Sequence, residues 1–331
     1  MYICKTMNSH KITKRSFFLK ILVFALFFCS ACSKEVNIEI PGYEEQLIVD
    51  GFIETDCPPV VLLSKSQNVY SPTDINSFLL SLINDAEIWV SNGVDSIQLE
   101  LISAANLQPE VAKILAGKLR LKLNELAALP ISFYTSTNPL IYGEINKKYN
   151  LYITHNGNNY QSETSILEPT YLDDLYWKIE PETVEYGESW ARLTDPSIGF
   201  DAYKWEVKRI NIINGKTKDE TFKPTNDPYF DDKFFNGMTF DFSYENPMGR
   251  KGDTTHLKIY KRLYKLGDSV VVKFSKMDEA TFDFFEKKRR QSRSSGSPFA
   301  SPINVPSNIS GGALGIWAGF APYYDTLYCV E

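Results

Sequence analysis

The residue with the most specific chemistry in this sequence is Cys32, whose thiol could be joined to lipid. It follows the small pair Ser30-Ala31 and an uncharged apolar run at 21–28, and four cations lie upstream at 11–20. A basic segment, an apolar segment and small residues form a secretory signal, and a cysteine directly after the small pair predicts a lipoprotein signal. An ordinary signal peptide, or a signal anchor that contains a cysteine, is the alternative.

Lipidation of Cys32 would hold the mature chain at a membrane without a spanning segment. The apolar stretch at 17–28 is shorter than the roughly 20 residues that a spanning helix needs. Ser33, Lys34 and Glu35 follow the cysteine and resemble the export tag of surface lipoproteins of Bacteroidota. We therefore expect a lipid-anchored outer-membrane protein on the cell surface, with a periplasm-facing orientation as the alternative.

The charge balance argues against nucleic acid as a partner. Residues 1–31 carry five of the 35 basic residues and none of the 41 acidic ones, so their removal changes the formal net charge from −6 to −11. Such a chain is repelled by phosphate backbones and by anionic bilayers. At 43% hydrophobic residues the chain is globular, and its length is enough for two domains.

Cys57 and Cys329 are the other two cysteines that remain after the predicted signal. In an exported protein they could form one long-range disulfide. Free buried thiols are the alternative, because the distance between two cysteines cannot be read from sequence.

The titratable residues do not form a recognisable catalytic or metal-binding motif. His155 and His256 are 101 residues apart, and the acidic pairs Asp173-Asp174 and Asp231-Asp232 lie near predicted turns. Neighbouring residues of an extended chain point in opposite directions, so neither pair can form a facing dyad by itself. We interpret the pairs as solvated acids and expect no catalytic residue, cofactor or metal.

Two further groups have both a functional and a structural interpretation. The cations at 287–290, with Arg293, could bind phosphate, but at the end of a helix they would complement its dipole. Tyr323, Tyr324 and Tyr328 could stack on a sugar, or could pack in the core of a β domain.

Strand patterns dominate the rest of the chain. Hairpins are predicted at Asn92-Gly93, Asn156-Gly157 and Asn214-Gly215, because asparagine and glycine tolerate positive φ. The segment 203–207 resembles a core strand of immunoglobulin or fibronectin type III domains, with Trp205 as its packing residue. The fold class predicted is mainly β, with two β-sandwich domains of this kind and a few inserted helices.

Helical spacing of apolar residues predicts helices at 74–83, near 109–129 and near 276–290. Asp74 is the predicted cap of the first, and Ser275 begins a variant capping box for the third. The second would pack across one end of a sandwich. Its alternative is a helix that docks on a partner or lies on a membrane.

Composition shifts and the strand pattern divide the chain into four segments. These are a signal peptide at 1–31, a lipidated tether at 32–46, an N-terminal sandwich at 47–170 and a C-terminal sandwich at 171–331.

The chain resembles the Bacteroidota lipoprotein family catalogued as domain of unknown function 4249. The resemblance rests on the signal with Cys32, on 47–64, on the hairpin 149–166, on Leu193-Thr194-Asp195-Pro196 and on 298–312. The predicted helix near 109–129 departs from the family pattern. Membership implies an outer-membrane lipoprotein, often encoded near TonB-dependent receptors, with no established catalytic residue.

We therefore expect a non-catalytic binding protein that is accessory to a TonB-dependent receptor or a nutrient-uptake complex. One alternative is a stand-alone glycan- or peptide-binding module, which would need Tyr323 and Tyr324 side by side at the surface. Another is a hydrolase, which would need two carboxyl groups about 5 to 10 Å apart in a cleft.

Overall fold

The computed structural model describes residues 44–68, 72, 74–247, 262–294 and 303–330. Cys32, Ser33, Lys34, Glu35 and His256 lie outside the described residues, as does nearly all of the predicted tether. Residues Glu44–Glu331 form one compact unit. Within the described part, no helix is both long enough and apolar enough to cross a membrane.

Strands are the main elements of the described residues, which also contain four α-helices. The strands are β1 (Leu47–Glu54), β2 (Val60–Lys65), β3 (Glu87–Ser91), β4 (Ser96–Gln98), β5 (Glu100–Ser103), β6 (Ser132–Thr135), β7 (Lys147–His155), β8 (Asn158–Ile166), β9 (Asp174–Ile179), β10 (Tyr186–Thr194), β11 (Ala202–Arg209), β12 (Ile212–Ile213), β13 (Lys216–Thr217), β14 (Lys223–Asp231), β15 (Thr239–Tyr244), β16 (Tyr264–Lys265), β17 (Ser269–Met277) and β18 (Leu314–Tyr328). The helices are α1 (Ile75–Ser81), α2 (Pro109–Leu119), α3 (Leu123–Ala127) and α4 (Glu279–Ser294). The prediction of a mainly β fold with a few helices is confirmed.

An eight-stranded sheet forms the centre of the fold, in the order β14-β11-β17-β18-β1-β2-β6-β5. Strand β18 pairs antiparallel with β17 and parallel with β1, so the last described strand joins the first. The domain boundary predicted near residue 170 falls between β8 and β9. The large sheet takes four of its strands from each side of that position.

The two faces of the large sheet enter different cores, because successive side chains of a strand point to opposite sides. On β18, Trp317, Ala321 and Leu327 face the sheet β4-β3-β7-β8 and the sheet formed by β15, β10, β16 and β9. Ile316 and Phe320 pack instead against the helices α2, α3 and α4. The result is a sandwich of sheets on one side and a helical layer on the other.

Trp205 on β11 is a core residue, as predicted. It is 1% exposed and lies among aromatic rings, with Phe242 at 5.4 Å, Tyr244 at 5.2 Å and Phe274 at 5.9 Å between centroids. A buried aromatic residue of this kind contributes apolar area and favourable ring contacts together.

The three predicted hairpins are confirmed. β3 pairs with β4 across Asn92-Gly93, β7 with β8 across Asn156-Gly157, and β12 with β13 across Asn214-Gly215. In the second hairpin Asn156 has φ 51° and Gly157 has φ 75°. Two consecutive positive φ values match the right-handed twist of the strands that the turn joins.

The predicted cap of the first helix is confirmed, whereas the second helix is broken. The Asp74 side chain accepts a hydrogen bond from the Ser77 N–H at 2.8 Å. The segment predicted as one helix forms α2 and α3, because Arg120 adopts φ 57° and Leu121 N–H donates to the Ala116 carbonyl at 2.9 Å. This bond closes α2 in the way that a left-handed C-terminal residue usually does.

The third helix starts and ends later than predicted. Ser275 still belongs to β17, and the cap is Asp278, whose Oδ1 accepts from the Thr281 N–H at 2.8 Å. Helix α4 then continues to Ser294, one turn beyond the predicted end.

Candidate functional site

An aromatic groove of about 870 Å³ lies between α4 and the strands β14 and β15. The volume is within the range of about 300 to 1,000 Å³ that is usual for ligand sites. Eight aromatic residues line this groove: Tyr229, Phe230, Phe234, Phe235, Phe240, Phe242, Tyr244 and Phe282.

The floor of the aromatic groove is held in place by contacts between its own rings. Phe230 lies 5.3 Å from Phe242, and Phe235 lies 4.2 Å from Phe240, between centroids. Phe234 differs, because its side chain is 87% exposed at the rim. The groove therefore has a packed floor and one phenyl ring directed to solvent.

The charged side of α4 forms one wall of the groove. Nη1 of Arg289 lies 2.9 Å from Oδ1 of Asp227, and Arg289 and Arg290 contact Glu286 at 2.7 Å and 2.6 Å. The cations at 287–290 were predicted in the last turn of a helix, but α4 continues for a further turn. Arg289 and Arg290 therefore both neutralise Glu286, and Arg289 also joins α4 to β14, which disfavours a phosphate site there.

A buried charge cluster lies on the helix-covered face of the large sheet, formed by Glu54, Lys204, Glu206 and Lys273. Nζ of Lys273 donates to Oε2 of Glu54 at 2.5 Å, and Nζ of Lys204 lies 2.9 Å from Oε2 of Glu206. All four residues are at most 5% exposed. The cluster joins β1 to strands β11 and β17, which lie far from it in sequence.

The ion pairs of this cluster favour the charged forms of Lys273 and Glu206. Burial disfavours the charged form of Lys273, but Glu54 and Glu206 outweigh it and raise the pKa of Lys273 above its usual range. Burial likewise opposes ionisation of Glu206, while Lys204 and Lys273 lower its pKa. Glu206 is therefore an anion at neutral pH and has no proton to donate as a general acid.

Lys118 on α2 faces the same region from the helical layer. A cavity of about 180 Å³ separates part of α2 from the sheet, and Lys118, Glu54 and Lys273 line it. Nζ of Lys118 lies 3.2 Å from the centroid of the Phe52 ring. Burial, and then the positive charge of Lys204, lower the pKa of Lys118 to about 7.

We expect Lys118→Met to remove part of the pH dependence of stability. Between pH 7 and about 10.4 the unfolded lysine holds a proton that the folded one releases, so wild-type stability rises with pH by up to about 1.4 kcal/mol per unit. Urea unfolding at several pH values measures this slope for the wild type, the variant and the control Lys113→Met, which removes an exposed lysine of α2. Parallel profiles for wild type and Lys118→Met would contradict the expectation.

A family model described as Domain of unknown function (DUF4249) matches residues 33–323. This chain belongs to the DUF4249 family. The matched range includes the aromatic groove and the buried charge cluster, and it confirms the resemblance to domain of unknown function 4249. A search of curated proteins finds no match.

The two candidate disulfide cysteines of the DUF4249 chain are free thiols. Cys57 lines the same cavity as Tyr324, whereas Cys329 lies five residues further along the chain and in the core of the opposite face. Five residues of extended chain span roughly 16 Å, and a disulfide needs Cα atoms within about 7 Å. Burial raises the pKa of Cys57 to about 11 and that of Cys329 to about 12.

Tyr323 and Tyr324 do not form a shared surface, because they point to opposite faces of β18. Tyr323 packs edge-on against Tyr171 at 5.0 Å, and Tyr324 lies 5.7 Å from Phe222. The platform that a sugar-binding DUF4249 module would require at these two positions is therefore not formed.

Trp89 and Tyr152 do lie side by side at the surface. They are register partners on β3 and β7 and are 37% and 45% exposed. The alternation of each strand could have indicated an outward position for each ring, but the pairing of β3 with β7 was needed to bring them together.

The acidic pairs of the DUF4249 chain have different environments. Asp173 and Asp174 are exposed, as predicted. Asp232 is only 2% exposed, so its interpretation as a solvated acid is wrong. It follows β14 directly and turns into the interior. The side chain of His155 is only 10% exposed, and its Nε2 lies 3.3 Å from Oδ1 of Asp85.

Proposed function

We propose that the protein is a lipid-anchored, non-catalytic binding protein of the outer membrane, accessory to a TonB-dependent receptor, and that the aromatic groove takes a segment of that receptor. The observation that carries this proposal is the groove itself, with its packed aromatic floor and its exposed Phe234. The signal sequence with Cys32 supports the lipid anchor.

The composition of the aromatic groove favours a protein partner. Aromatic residues and arginine are enriched at the centres of protein interfaces and supply most of their binding energy. Phe234 offers an exposed ring, and the side chain of Arg290, which also lines the groove, is 64% exposed. Because Asp231 and Asp283 also line the groove, the wall has both signs of charge and can orient a peptide segment.

Glu206 of the buried charge cluster does not suit the acid role that hydrolysis would require. The cluster's two carboxylates, Glu54 and Glu206, each contact a lysine, and the lowered pKa of Glu206 prevents it from acting as a proton donor. A hydrolase of the two-carboxylate type needs one carboxyl group that stays protonated.

We expect Phe234→Ala to reduce capture of the receptor by at least about ten-fold, because a phenyl ring that is exposed in the free protein and buried against the partner acts as an anchor, and loss of such an anchor costs more than about 1.4 kcal/mol. The lipidated protein is purified from its native outer membrane in mild detergent, and co-purified receptor is measured. Leu80→Ala is the matched control, since Leu80 is 84% exposed on α1 and lies outside the groove.

Two outcomes of this capture experiment would contradict the proposal. One is equal recovery of receptor with Phe234→Ala and wild type. The other is recovery of the lipoprotein alone. Cys32→Ala tests the anchor separately, because this variant should leave the membrane fraction.

A second candidate function is glycan binding at the surface formed by Trp89 and Tyr152. Adjacent exposed aromatic rings can stack on sugar rings, and this pair is cross-strand on the outer face of its sheet. A glycan screen distinguishes the two functions: retention that is lost in Trp89→Ala and kept in Phe234→Ala would favour the glycan site.

A further inference from the structure

Three buried aspartates meet at one end of the large sheet. Asp195 follows β10, Asp201 precedes β11 and Asp232 follows β14. Because β11 pairs with β14, the last two are neighbours, and Asp232 N–H donates to the Asp201 carbonyl at 2.9 Å. One carboxylate oxygen from each aspartate lies within 4.8 Å of the others.

The carboxylate of Asp201 has an oxygen without a partner. Oδ1 of Asp201 lies 2.6 Å from Nζ of Lys276, whereas Oδ2 is buried and accepts no hydrogen bond from any described residue. Asp201 is 4% exposed, and its carboxylate faces those of Asp195 and Asp232. A buried acceptor left without a donor is costly, so this oxygen indicates a ligand within the cluster.

The other two carboxylates are oriented by the surrounding chain. Oδ1 of Asp195 accepts from the Tyr203 hydroxyl at 2.7 Å, and its Oδ2 accepts from the Gly237 N–H at 3.3 Å. Oδ2 of Asp232 accepts from Nδ2 of Asn236 at 3.1 Å. These bonds hold the side chains in place without supplying a positive charge.

The charges of the cluster do not balance. Three ionised carboxylates with Lys276 carry a net charge of −2, and Asp195 and Asp232 are each 2% exposed. Carboxylates this close are stable as anions only when a cation compensates them.

We propose that Asp195, Asp201 and Asp232 bind a calcium ion. The ligand set consists of oxygen atoms only, which suits a hard divalent cation. Two oxygens on opposite sides of calcium lie about 4.6 to 5.2 Å apart, so oxygens within 4.8 Å of one another can share one ion. A divalent charge also neutralises the net −2 of the cluster.

The calcium site would stiffen the segment that carries the rim of the aromatic groove. Asp232 begins a turn in which Phe235 N–H donates to the Asp232 carbonyl at 2.9 Å, and Phe234 lies within this turn. The metal site itself does not depend on the function proposed for the groove, and its test uses no receptor.

The test is calcium binding by the full mature protein after removal of metal with a chelator. Isothermal titration calorimetry should show one calcium per chain, and calcium should raise the melting temperature more than magnesium does. A crystal soaked in calcium should show a density peak between the three carboxylates, which requires no variant. Wild type that binds no calcium, or that prefers magnesium, would overturn the proposal.

Variants of the aspartates test whether calcium binds at this cluster. Asp232→Asn and Asp201→Asn should each weaken calcium binding at least ten-fold, whereas the exposed control Asp174→Asn should leave it unchanged. Asp201→Asn could fail to fold, because Asp201 also neutralises Lys276. In that case the calcium affinity of Asp232→Asn tests the site. Calcium affinity equal to that of wild type in a folded Asp232→Asn protein would place the ion elsewhere and refute the site.

Discussion

Replacing Lys273 by methionine should lower the free energy of unfolding by about 3 to 5 kcal/mol. Nζ of Lys273 donates to Glu54 at 2.5 Å, and both side chains are at most 5% exposed. Methionine has a similar volume and keeps most of the packing, but it leaves the buried carboxylate of Glu54 without its cation. The lost ion pair links β1, near the start of the described residues, to β17, in the second half of the chain.

Lys148→Met is the matched control for this prediction. Lys148 and Glu163 form a pair of similar length, 2.7 Å, but their side chains are 68% and 49% exposed. Exposed pairs contribute at most about 1 kcal/mol, so this variant should unfold almost like wild type in urea. Equal stability of Lys273→Met and Lys148→Met, or greater stability of Lys273→Met, would contradict a stabilising role for the Lys273–Glu54 pair.

A double variant separates the two contributions to this loss, which are the missing attraction between Lys273 and Glu54 and the cost of leaving the Glu54 carboxylate buried without a cation. Glu54→Gln combined with Lys273→Met removes both charges, and we expect it to recover part of the stability that the single variant loses. Recovery would show that much of the single-variant cost comes from the unpaired carboxylate.

Gly315→Ala should destabilise the protein by more than about 2 kcal/mol, the second largest effect that we expect. Gly315 has φ 111°, and a Cβ at this position would lie 1.9 Å from the Val49 carbonyl oxygen. The two residues are register partners where β18 runs parallel to β1. Alanine would therefore separate the strands that join the beginning and the end of the sheet.

Gly312→Ala is the control that separates the steric clash expected at position 315 from the cost of a positive φ alone. Gly312 also has positive φ, 85°, but a Cβ there meets no atom within 4 Å. This variant should cost only about 1 kcal/mol. Thermal or guanidinium unfolding compares the two, and equal losses would contradict a steric role for Gly315.

The features that the sequence predicted correctly depend on local patterns. The turn at Asn156-Gly157 needs only two residues that tolerate positive φ, and the cap at Asp74 needs only a carboxylate near the first free N–H groups. The outward or inward position of residues on a strand, as for Trp205, also follows from alternation within one segment.

The features that it did not predict depend on which distant segments meet. The parallel pairing of β1 with β18 joins residues more than 260 positions apart, and it places Lys273 beside Glu54. Asp232 was predicted to be a surface acid, because its sequence neighbours do not show that β11 pairs with β14 and brings it beside Asp201. The groove likewise needs α4 to lie against β14, and no single stretch of sequence encodes that contact.

The break at Arg120 shows that the periodicity of apolar residues does not reveal where a helix is interrupted. Leucines continue at helical spacing from α2 into α3, so their pattern predicts one helix. The chain instead closes α2 with a left-handed residue and starts α3 at Leu123, where Lys122 N–H donates to Glu125 at 2.8 Å. The apolar residues of both short helices pack in the same core, on one face of the large sheet.

The measurement that tests the central proposal most directly is site-specific photo-crosslinking in living cells. A photoreactive phenylalanine analogue replaces Phe234 at the groove rim or, as control, Leu80 on α1, since both side chains are more than 80% exposed. We predict a covalent adduct with a TonB-dependent receptor from position 234 and none from position 80. An adduct of equal yield from both positions, or none from position 234, would contradict a receptor segment in the aromatic groove.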